Sequence, residues 1–271
     1  MAYPLIDQAY RNISLAIVIC TFMILTSSDE DCTLENKTVN CKNKKIFIPP
    51  NFVASPGDLI SVDGQPFIVA KFMPFNYGRL IKRRTQIISP ADAAYIIMRT
   101  GLGIGMKAME IGVGSGNLSA YILWAIGKEG HLTLVDREME SIQFSLNNLS
   151  KFYDLENVDY VIGDPSSLKV NNDYDALFVD IPNPWNYLEN LKMVLKPGSM
   201  AEFYLPNFDQ VEKTVLGLEE HGFVHLETAE IQRRRLIVRK DATRPASDDL
   251  THSAYMVFSI FTSGLKASLK P

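Results

Sequence analysis

The sequence predicts an α/β fold, a mostly parallel sheet with helices on both faces, preceded by a small β-rich unit. Three observations carry that prediction. Beyond Gln86, short apolar runs alternate with segments of helical period, the pattern of successive β and α units. The run Met109-Glu110-Ile111-Gly112-Val113-Gly114-Ser115-Gly116-Asn117-Leu118 reads as a buried strand, a glycine-rich turn and the start of a helix; Asp136 follows twenty residues after Gly116, at the tip of the next strand. Before Gln86 the apolar bursts are shorter and are separated by Pro and Gly.

From the N-terminus, residues 13–25 form an apolar run that is short for a membrane span. The residues before it hold Asp7 and Arg11 with no positive excess, and no small-residue cleavage site follows, so the run is read as non-anchoring. Met23 is an alternative start of translation. Residues 29–45 are polar and lysine-rich with Asn and Asp turn signals, and are read as loop or irregular edge structure. Residues 1–45 are left unassigned. Residues 46–48, 58–62 and 66–72 read as strands, with Asp63-Gly64 as a tight hairpin turn; they make a small β-rich domain of residues 46–84.

The main domain is residues 85–271. Its first helix opens at Ser89-Pro90, with serine as N-cap and proline at the first helical position, and runs through Met98. Strands fall at residues 107–111, 132–135, 158–162, 176–179 and 200–205. Helices start at Asn117 and Glu138 and cover residues 185–195 and 208–221. Residues 223–231, 235–238 and 254–261 are strand-like with no helix between them, which predicts a β-hairpin added to the sheet edge.

Composition limits the function. Net charge is −4, so nothing global marks a nucleic-acid binder, and any RNA contact must come from a local basic patch. Two such patches exist: Arg79, Lys82, Arg83 and Arg84, and later Arg233, Arg234, Arg235, Arg239 and Lys240. Taken alone, each is more simply a solvated charged face. Cys20, Cys32 and Cys41 form no CxxC pair and the four histidines are scattered, which argues against a zinc site. Three cysteines without a disulfide framework fit a reducing cytoplasm.

Ligands of open parallel sheets bind outside the carboxyl ends of the strands. That rule brings residues 112–116, Asp136, Gly163-Asp164 and Asp180 round one crevice, at the ends of four successive strands. A phosphate-binding loop would carry a Lys or a GKS/GKT ending, and a dinucleotide site a GxGxxG turn. Here the turn is GxGxG and the crevice is lined with acids. A cationic, phosphate-free cofactor suits such a lining, and S-adenosylmethionine is the natural candidate. Asp136 would accept hydrogen bonds from the ribose hydroxyls, Asp164 from the adenine exocyclic amine, and residues 115–118 would hold the amino-acid end. Asp164 reads equally well as a strand-end turn residue. Asp180-Ile181-Pro182-Asn183-Pro184-Trp185 makes a rigid loop beside the methyl donor, because proline fixes φ, and Trp185 offers a flat apolar surface to a base. The plainer alternative puts Trp185 in the core.

These motifs join Arg84-Thr85-Gln86-Ile87-Ile88, Tyr204-Leu205-Pro206 with Gln210, and Arg244-Pro245 with Thr251-His252. Together they make the span from about residue 57 to 261 resemble the tRNA (adenine-58-N1)-methyltransferases, in their archaeal, Thermoplasma-like branch. The resemblance implies a class I methyltransferase, Rossmann-like seven-stranded domain, a small N-terminal β domain, and a homotetramer that binds tRNA across subunits, with no metal and no membrane. It implies cofactor contacts at Gln86, Ile88, Gly112, Gly114, Ser115, Gly116, Asn117, Leu118, Asp136, Arg137, Gly163 and Asp164. Asp180 would be the catalytic acid–base residue, in reach of the cofactor, and Ser89, Pro182, Trp185, Tyr204, Arg244 and His252 would face the substrate. Two features depart from the family pattern. Many relatives have Tyr or His where Ser89 stands, and the N-terminal β domain is shorter than usual.

Other readings are weaker. Protein isoaspartyl methyltransferases share the glycine turn, and Gln86-Ile87-Ile88-Ser89-Pro90 resembles their substrate loop, but they lack the motif at residues 180–185. A precorrin-type small-molecule methyltransferase leaves the late basic hairpin without a purpose. A non-catalytic RNA-binding partner subunit would have eroded the glycine turn and the strand-end acid, and both are intact.

Overall fold

The computed structural model describes residues 22–26, 32–35, 38–41, 44–47, 55, 57–62, 65–84, 86–169, 172–238, 241–247 and 252–264. The N-terminal strands are β1 (Phe22–Thr26), β2 (Cys32–Glu35), β3 (Thr38–Cys41), β4 (Lys44–Phe47), β5 (Leu59–Val62) and β6 (Gln65–Lys71). β1 and β5 flank β6 in one antiparallel sheet, and β2, β3 and β4 form a meander. The loop expected over residues 29–45 is thus largely strand. Antiparallel pairing of β2, β3 and β4 satisfies their backbone whatever the polarity of the side chains. Cys32 stands opposite Cys41 in that register. Pairing of β1 with β6 ties the end of the apolar run at residues 13–25 to the span 46–84. The rest of that run and the Asp63-Gly64 turn lie outside the described residues.

The main sheet has seven strands: β7 (Lys107–Ile111), β8 (His131–Asp136), β9 (Val158–Ile162), β10 (Tyr174–Val179), β11 (Leu195–Leu205), β12 (Phe223–Ala229) and, after the short β13 (Leu236–Ile237) and β14 (Arg244–Pro245), β15 (Tyr255–Phe261). Their order is β12-β15-β11-β10-β7-β8-β9, with β15 antiparallel to both neighbours and the pairs from β11 to β9 parallel. The helices are α1 (Tyr77–Leu80), α2 (Pro90–Thr100), α3 (Asn117–Ile126), α4 (Met139–Leu149), α5 (Leu188–Leu191) and α6 (Phe208–Glu220). Two core clusters lie on opposite faces of the sheet. One joins Ala108, Ala176 and Phe178 to α2 and α3; the other joins Met109, Ile111, Leu177 and Val179 to Leu188, Leu191 and Leu218. The split follows the two-residue period of each strand.

The terminal hairpin is added at the sheet edge as expected, with β12 and β15 paired antiparallel and β15 next to β11, while residues 236–237 leave the sheet to pair with β14. Burial explains the order. Met256, Val257 and Phe258 of β15 are covered on both faces, whereas Val224 and Leu226 of β12 are exposed, as an edge strand permits. One element of the main domain differs from expectation. The helix expected over residues 185–195 is shorter, a 3-10 turn at Pro184–Tyr187 followed by α5, and β11 already begins at Leu195. The β10–β11 register then jumps from Tyr174↔Leu195 to Ala176↔Met200. Pro197, which has no N–H to give, and Gly198, at φ 91°, make the bulge. Caps end the helices as the residues suggest: Ser89 Oγ accepts from Asp92 N at 3.1 Å, and Asn207 Oδ1 from Gln210 N at 3.0 Å.

Two carboxyls are buried inside this sheet. Glu110 on β7 and Glu202 on β11 flank Phe178 of β10 in one register row, on the face that packs against α2 and α3. Glu110 accepts from the Ser119 hydroxyl, and Glu202 has no hydrogen-bond partner among the described residues. Burial raises the Glu110 carboxyl to about 8 and pushes Glu202 well above its usual range. Both acids therefore keep a proton in the folded chain at pH values where the unfolded chain has lost it. Between about 4.5 and 8 the folded state binds more protons, so stability is fullest below that window and is lost as pH rises through it. The unfolding free energy from denaturant titration should fall between pH 5 and pH 8 by an amount on the order of a few kcal/mol. Glu110→Gln should flatten that slope; an unchanged slope in the variant would show that Glu110 does not carry it.

Candidate active site

The carboxyl ends of β7, β8, β9 and β10 open on a cavity of about 450 Å³. It is lined by Gln86, Ile111, Gly112, Gly114, Val135, Asp136, Arg137, Glu138, Ser141, Gly163, Asp164, Pro165, Asp180, Ile181 and Pro182. Ladder bonds extend past the strands and fix the tips relative to one another. Gly112 N donates to Val135 O at 2.9 Å, Asp180 N to Ile111 O at 2.8 Å, and Gly163 N to Asp136 O at 2.9 Å. At Gly112 the backbone has φ 88°, and a Cβ there would stand 2.0 Å from the carbonyl oxygen of Asp180. Only glycine lets these two tips approach so closely. Gly116, also left-handed, is the N-cap of α3, and a Cβ on it would meet Ser145 Oγ at 2.4 Å.

Each acid at the rim is positioned differently. Asp136 Oδ2 accepts from Val113 N at 3.3 Å and Oδ1 from Glu138 N at 3.0 Å, which ties the carboxylate to the glycine turn and leaves further lone pairs facing the cavity. Asp164 caps the 3-10 turn Pro165–Ser167. It accepts from Ser166 N at 2.9 Å and from the Ser166 hydroxyl, bonds that hold its carboxyl below the usual range, and Arg137 lies 3.6 Å away. Asp164 is thus the turn residue its position suggested, and it also lines the cavity. Asp180 is open to the cavity, yet protein crowds it on the other sides, and the resulting desolvation raises its carboxyl to about 6. The loop beyond it bends at Asn183, which takes the left-handed region at φ 57° before Pro184.

Of the residues expected to touch a cofactor, Gln86, Gly112, Gly114, Asp136, Arg137, Gly163, Asp164 and Asp180 line the cavity. Ile88, Ser115, Asn117 and Leu118 are buried, and with Gly116 they stand behind its lining. Asn117 Nδ2 donates to Ile88 O at 2.8 Å, and Ser115 Oγ accepts from Arg84 N at 3.1 Å, so these residues brace the turn. Of the substrate-side residues, only Pro182 lines the cavity. Ser89 spends its hydroxyl on the α2 cap. Trp185 packs against the second core cluster, with Lys213 Nζ over its ring at 5.4 Å, as the core alternative allowed. Tyr204 donates to Asp92 Oδ2 at 2.9 Å; Arg244 is exposed on β14. His252 bridges Glu230 Oε1 at 2.6 Å and Pro206 O at 3.2 Å.

Glu138 and Ser141 line the cavity without having been singled out in the sequence. Their signal was position alone, in the connection after Asp136 and the first turn of α4. The first basic patch is partly spent on the fold: Arg83 donates to Gly78 O at 2.8 and 2.6 Å, and Arg84 pairs with Glu140 at 3.3 Å. Arg233 lies over the Phe75 ring at 5.6 Å, while Arg239 and Lys240 are outside the described residues.

The donor set fits S-adenosylmethionine: four acidic side chains (Asp136, Glu138, Asp164 and Asp180) and the glycine turn ring the cavity, with Arg137 the single basic residue in its lining. Among the described residues no group of three or more His, Cys, Asp or Glu side chains could hold a metal ion. The contact at Gly112 gives a direct test. Gly112→Ala should weaken binding of labelled S-adenosylmethionine by at least about tenfold, because the new methyl forces the β7 and β10 tips apart and strains a positive φ. Unchanged affinity in equilibrium dialysis would show that this approach does not shape the site.

Comparison with known proteins agrees with this geometry. The family described as tRNA methyltransferase complex GCD14 subunit matches residues 68–259. The chain is 31% identical over 225 residues to the tRNA (adenine(57)-N(1)/adenine(58)-N(1))-methyltransferase TrmI of Methanocaldococcus jannaschii, covering 73% of this chain and 80% of that protein. Among solved structures, the tRNA (m1A58) methyltransferase TrmI of Aquifex aeolicus superposes with a TM-score of 0.75 at 27% identity, over 88% of this chain and 95% of that one. A Thermoplasma acidophilum chain, assigned to the methyltransferases by inference, is 43% identical with a TM-score of 0.56, over 89% of this chain and 97% of that one. The match over most of the chain, together with an intact glycine turn and strand-end acid, places this protein in the tRNA methyltransferase complex GCD14 subunit family.

Proposed function

We propose that the protein is an S-adenosylmethionine-dependent methyltransferase that modifies adenine N1 in tRNA at position 58 of the T-loop; mapping of the methylated positions decides whether position 57 is a second target. The observation that carries the reading is Asp180 itself, a crowded carboxyl at the end of β10 facing a cavity ringed by acids. Family membership and the named activity of the Methanocaldococcus relative support the substrate. S-adenosylmethionine, when bound, supplies a methyl group made electrophilic by its sulfonium.

The residues of this chain do the rest. Adenine N1 lies on the Watson–Crick edge, so the base must leave its stack, at a cost of a few kcal/mol. Neutral N1 already offers a lone pair, and no strong base is needed to expose it. What the site must manage is the positive charge that arrives on the ring. Asp180 in its carboxylate form accepts a hydrogen bond from the exocyclic N6 amine, orients N1 and offsets that charge. Pro182 beside it stiffens the wall against which the base is aligned. Asp136 accepts from the ribose hydroxyls of the cofactor, and Asp164 from its adenine amine.

The wider expectations belong to the same proposal: a cytoplasmic homotetramer binding tRNA across subunits, with Tyr204, Arg244 and His252 on the RNA side, and a small β domain ending near residue 84. Among the described residues no helix is long and apolar enough to cross a membrane.

Incubation with unmodified tRNA and cofactor, followed by mapping of methylated positions, should find N1-methyladenosine at 58. Methylation elsewhere only, or none, would end the assignment. Asp180→Ala should keep cofactor binding and lose most single-cycle turnover. Wild-type turnover should rise with pH through about 6 and level off above, as the carboxyl ionises, and that limb should vanish in Asp180→Asn. A limb that persists in the variant would assign it to another group.

A further inference from the structure

Beside the cavity, on the same carboxyl edge of the sheet, three aromatic rings form a stack that the fold does not use. Phe208, the first residue of α6, is 74% exposed although it is a large apolar side chain. Its ring lies over Tyr255 with centroids 4.7 Å apart and planes at 26°, and Tyr255 in turn meets His252 at 4.9 Å and 42°. The lower rings are held from below. Tyr255 is fixed by its pairing with Leu205 at the start of β15. His252 is held by the Glu230 carboxylate and the Pro206 carbonyl, both acceptors, an arrangement that favours the protonated ring and raises its pKa. The outer face of Phe208 is thus a flat, pre-positioned π surface backed by the Tyr255 ring and the His252 imidazole.

We propose that this stack is a nucleobase platform for a residue of the RNA adjacent to the methylated adenine. The proposal rests on the tRNA reading above and adds a subsite to it. Topology sets which base it takes. Asp180 follows β10, whereas Tyr255 stands two strands over, on β15, a lateral distance of ~10 Å at the ordinary strand spacing. One purine cannot hydrogen-bond Asp180 and stack on Phe208 across that gap. A neighbouring base of the same strand can, once the target has left the helix and its neighbours have lost a stacking partner. Stacking is tolerant of base identity, since every base offers a π face, so the platform grips the strand without reading its sequence. Ser89, whose hydroxyl is committed to Asp92 N, leaves the α2 end of the site without a ring to offer.

The test uses the full-length protein and an unmodified tRNA transcript carrying 2-aminopurine, whose fluorescence is quenched by stacking, at the position 5′ or 3′ of the target in turn. In the wild type, binding should quench the probe at one of the two positions. Phe208→Leu, at an exposed site, should bind that tRNA about tenfold more weakly and lose the quench, while Phe208→Trp should restore both. Affinity for S-adenosylmethionine should be unaltered in both variants. Equal tRNA affinity and equal quenching in wild type and Phe208→Leu would overturn the platform and leave the function standing if the wild type still methylates. A wild type that neither binds nor methylates tRNA would overturn the function and the platform with it.

Discussion

The close approach of Gly112 to the Asp180 carbonyl is the constraint on which the site depends. β7 and β10 are neighbours in a parallel sheet, and their last ladder bond, from Asp180 N to Ile111 O, lies just before both chains leave the sheet. A side chain at position 112 would push into Asp180 O. With glycine there, the turn folds over the end of β10, Val113 N reaches Asp136 on β8, and Asp180 comes to lie beside the turn that edges the cavity. Three strand tips are fixed by one missing Cβ. The acids can then be aimed at a common space without long loops to hold them, because each stands within a residue or two of a paired strand.

Much of this was legible from the chain. The glycine turn, the spaced Asp136, Gly163-Asp164 and Asp180 are local signals, each readable from a strand and the residue that ends it, and a general rule about parallel sheets gathers them. What was not legible depended on distant parts of the chain. Residues 254–261 read as a strand, but their place between β11 and β12 follows from burial on both faces, a property of the neighbours they acquire. Trp185 sits next to a functional loop in sequence, yet α6 comes back across it and takes its ring into packing with Lys213. Ser115, Asn117 and Leu118 belong to the turn that forms the site, but the start of a buried helix points them inward. Proximity in sequence to a site residue predicts support as readily as contact.

Local charge is arranged in a way that net charge hides. The chain is acidic overall, and the Gly78 carbonyl and Glu140 engage Arg83 and Arg84 of the first basic patch. The cavity is acidic as well, which suits a cationic cofactor and would repel a phosphate. On the proposed function, RNA would have to be held at the rim by contacts other than attraction into the crevice. Stacking surfaces meet that need, since they depend little on the sign of the surrounding field.

The last feature to explain is how one carboxyl among several is left to ionise near neutrality. Glu110, Glu202 and Asp180 fall on the same face of adjacent strands; Asp180 disfavours charge on both glutamates, and Glu110 disfavours it on Glu202. If all three were ionised, their mutual repulsion inside the sheet would work against the fold. Depth resolves the conflict. Glu110 and Glu202 lie inside the strands, covered by α2 and α3, and burial holds them neutral. Asp180 is the residue just past the end of β10, where the sheet stops and the cavity begins, so its proton is the first to leave, at about 6. An arriving positive charge draws that equilibrium further toward the carboxylate. The acid that faces the cavity can therefore ionise while the acids behind it stay neutral, and the difference is set by two residues of strand.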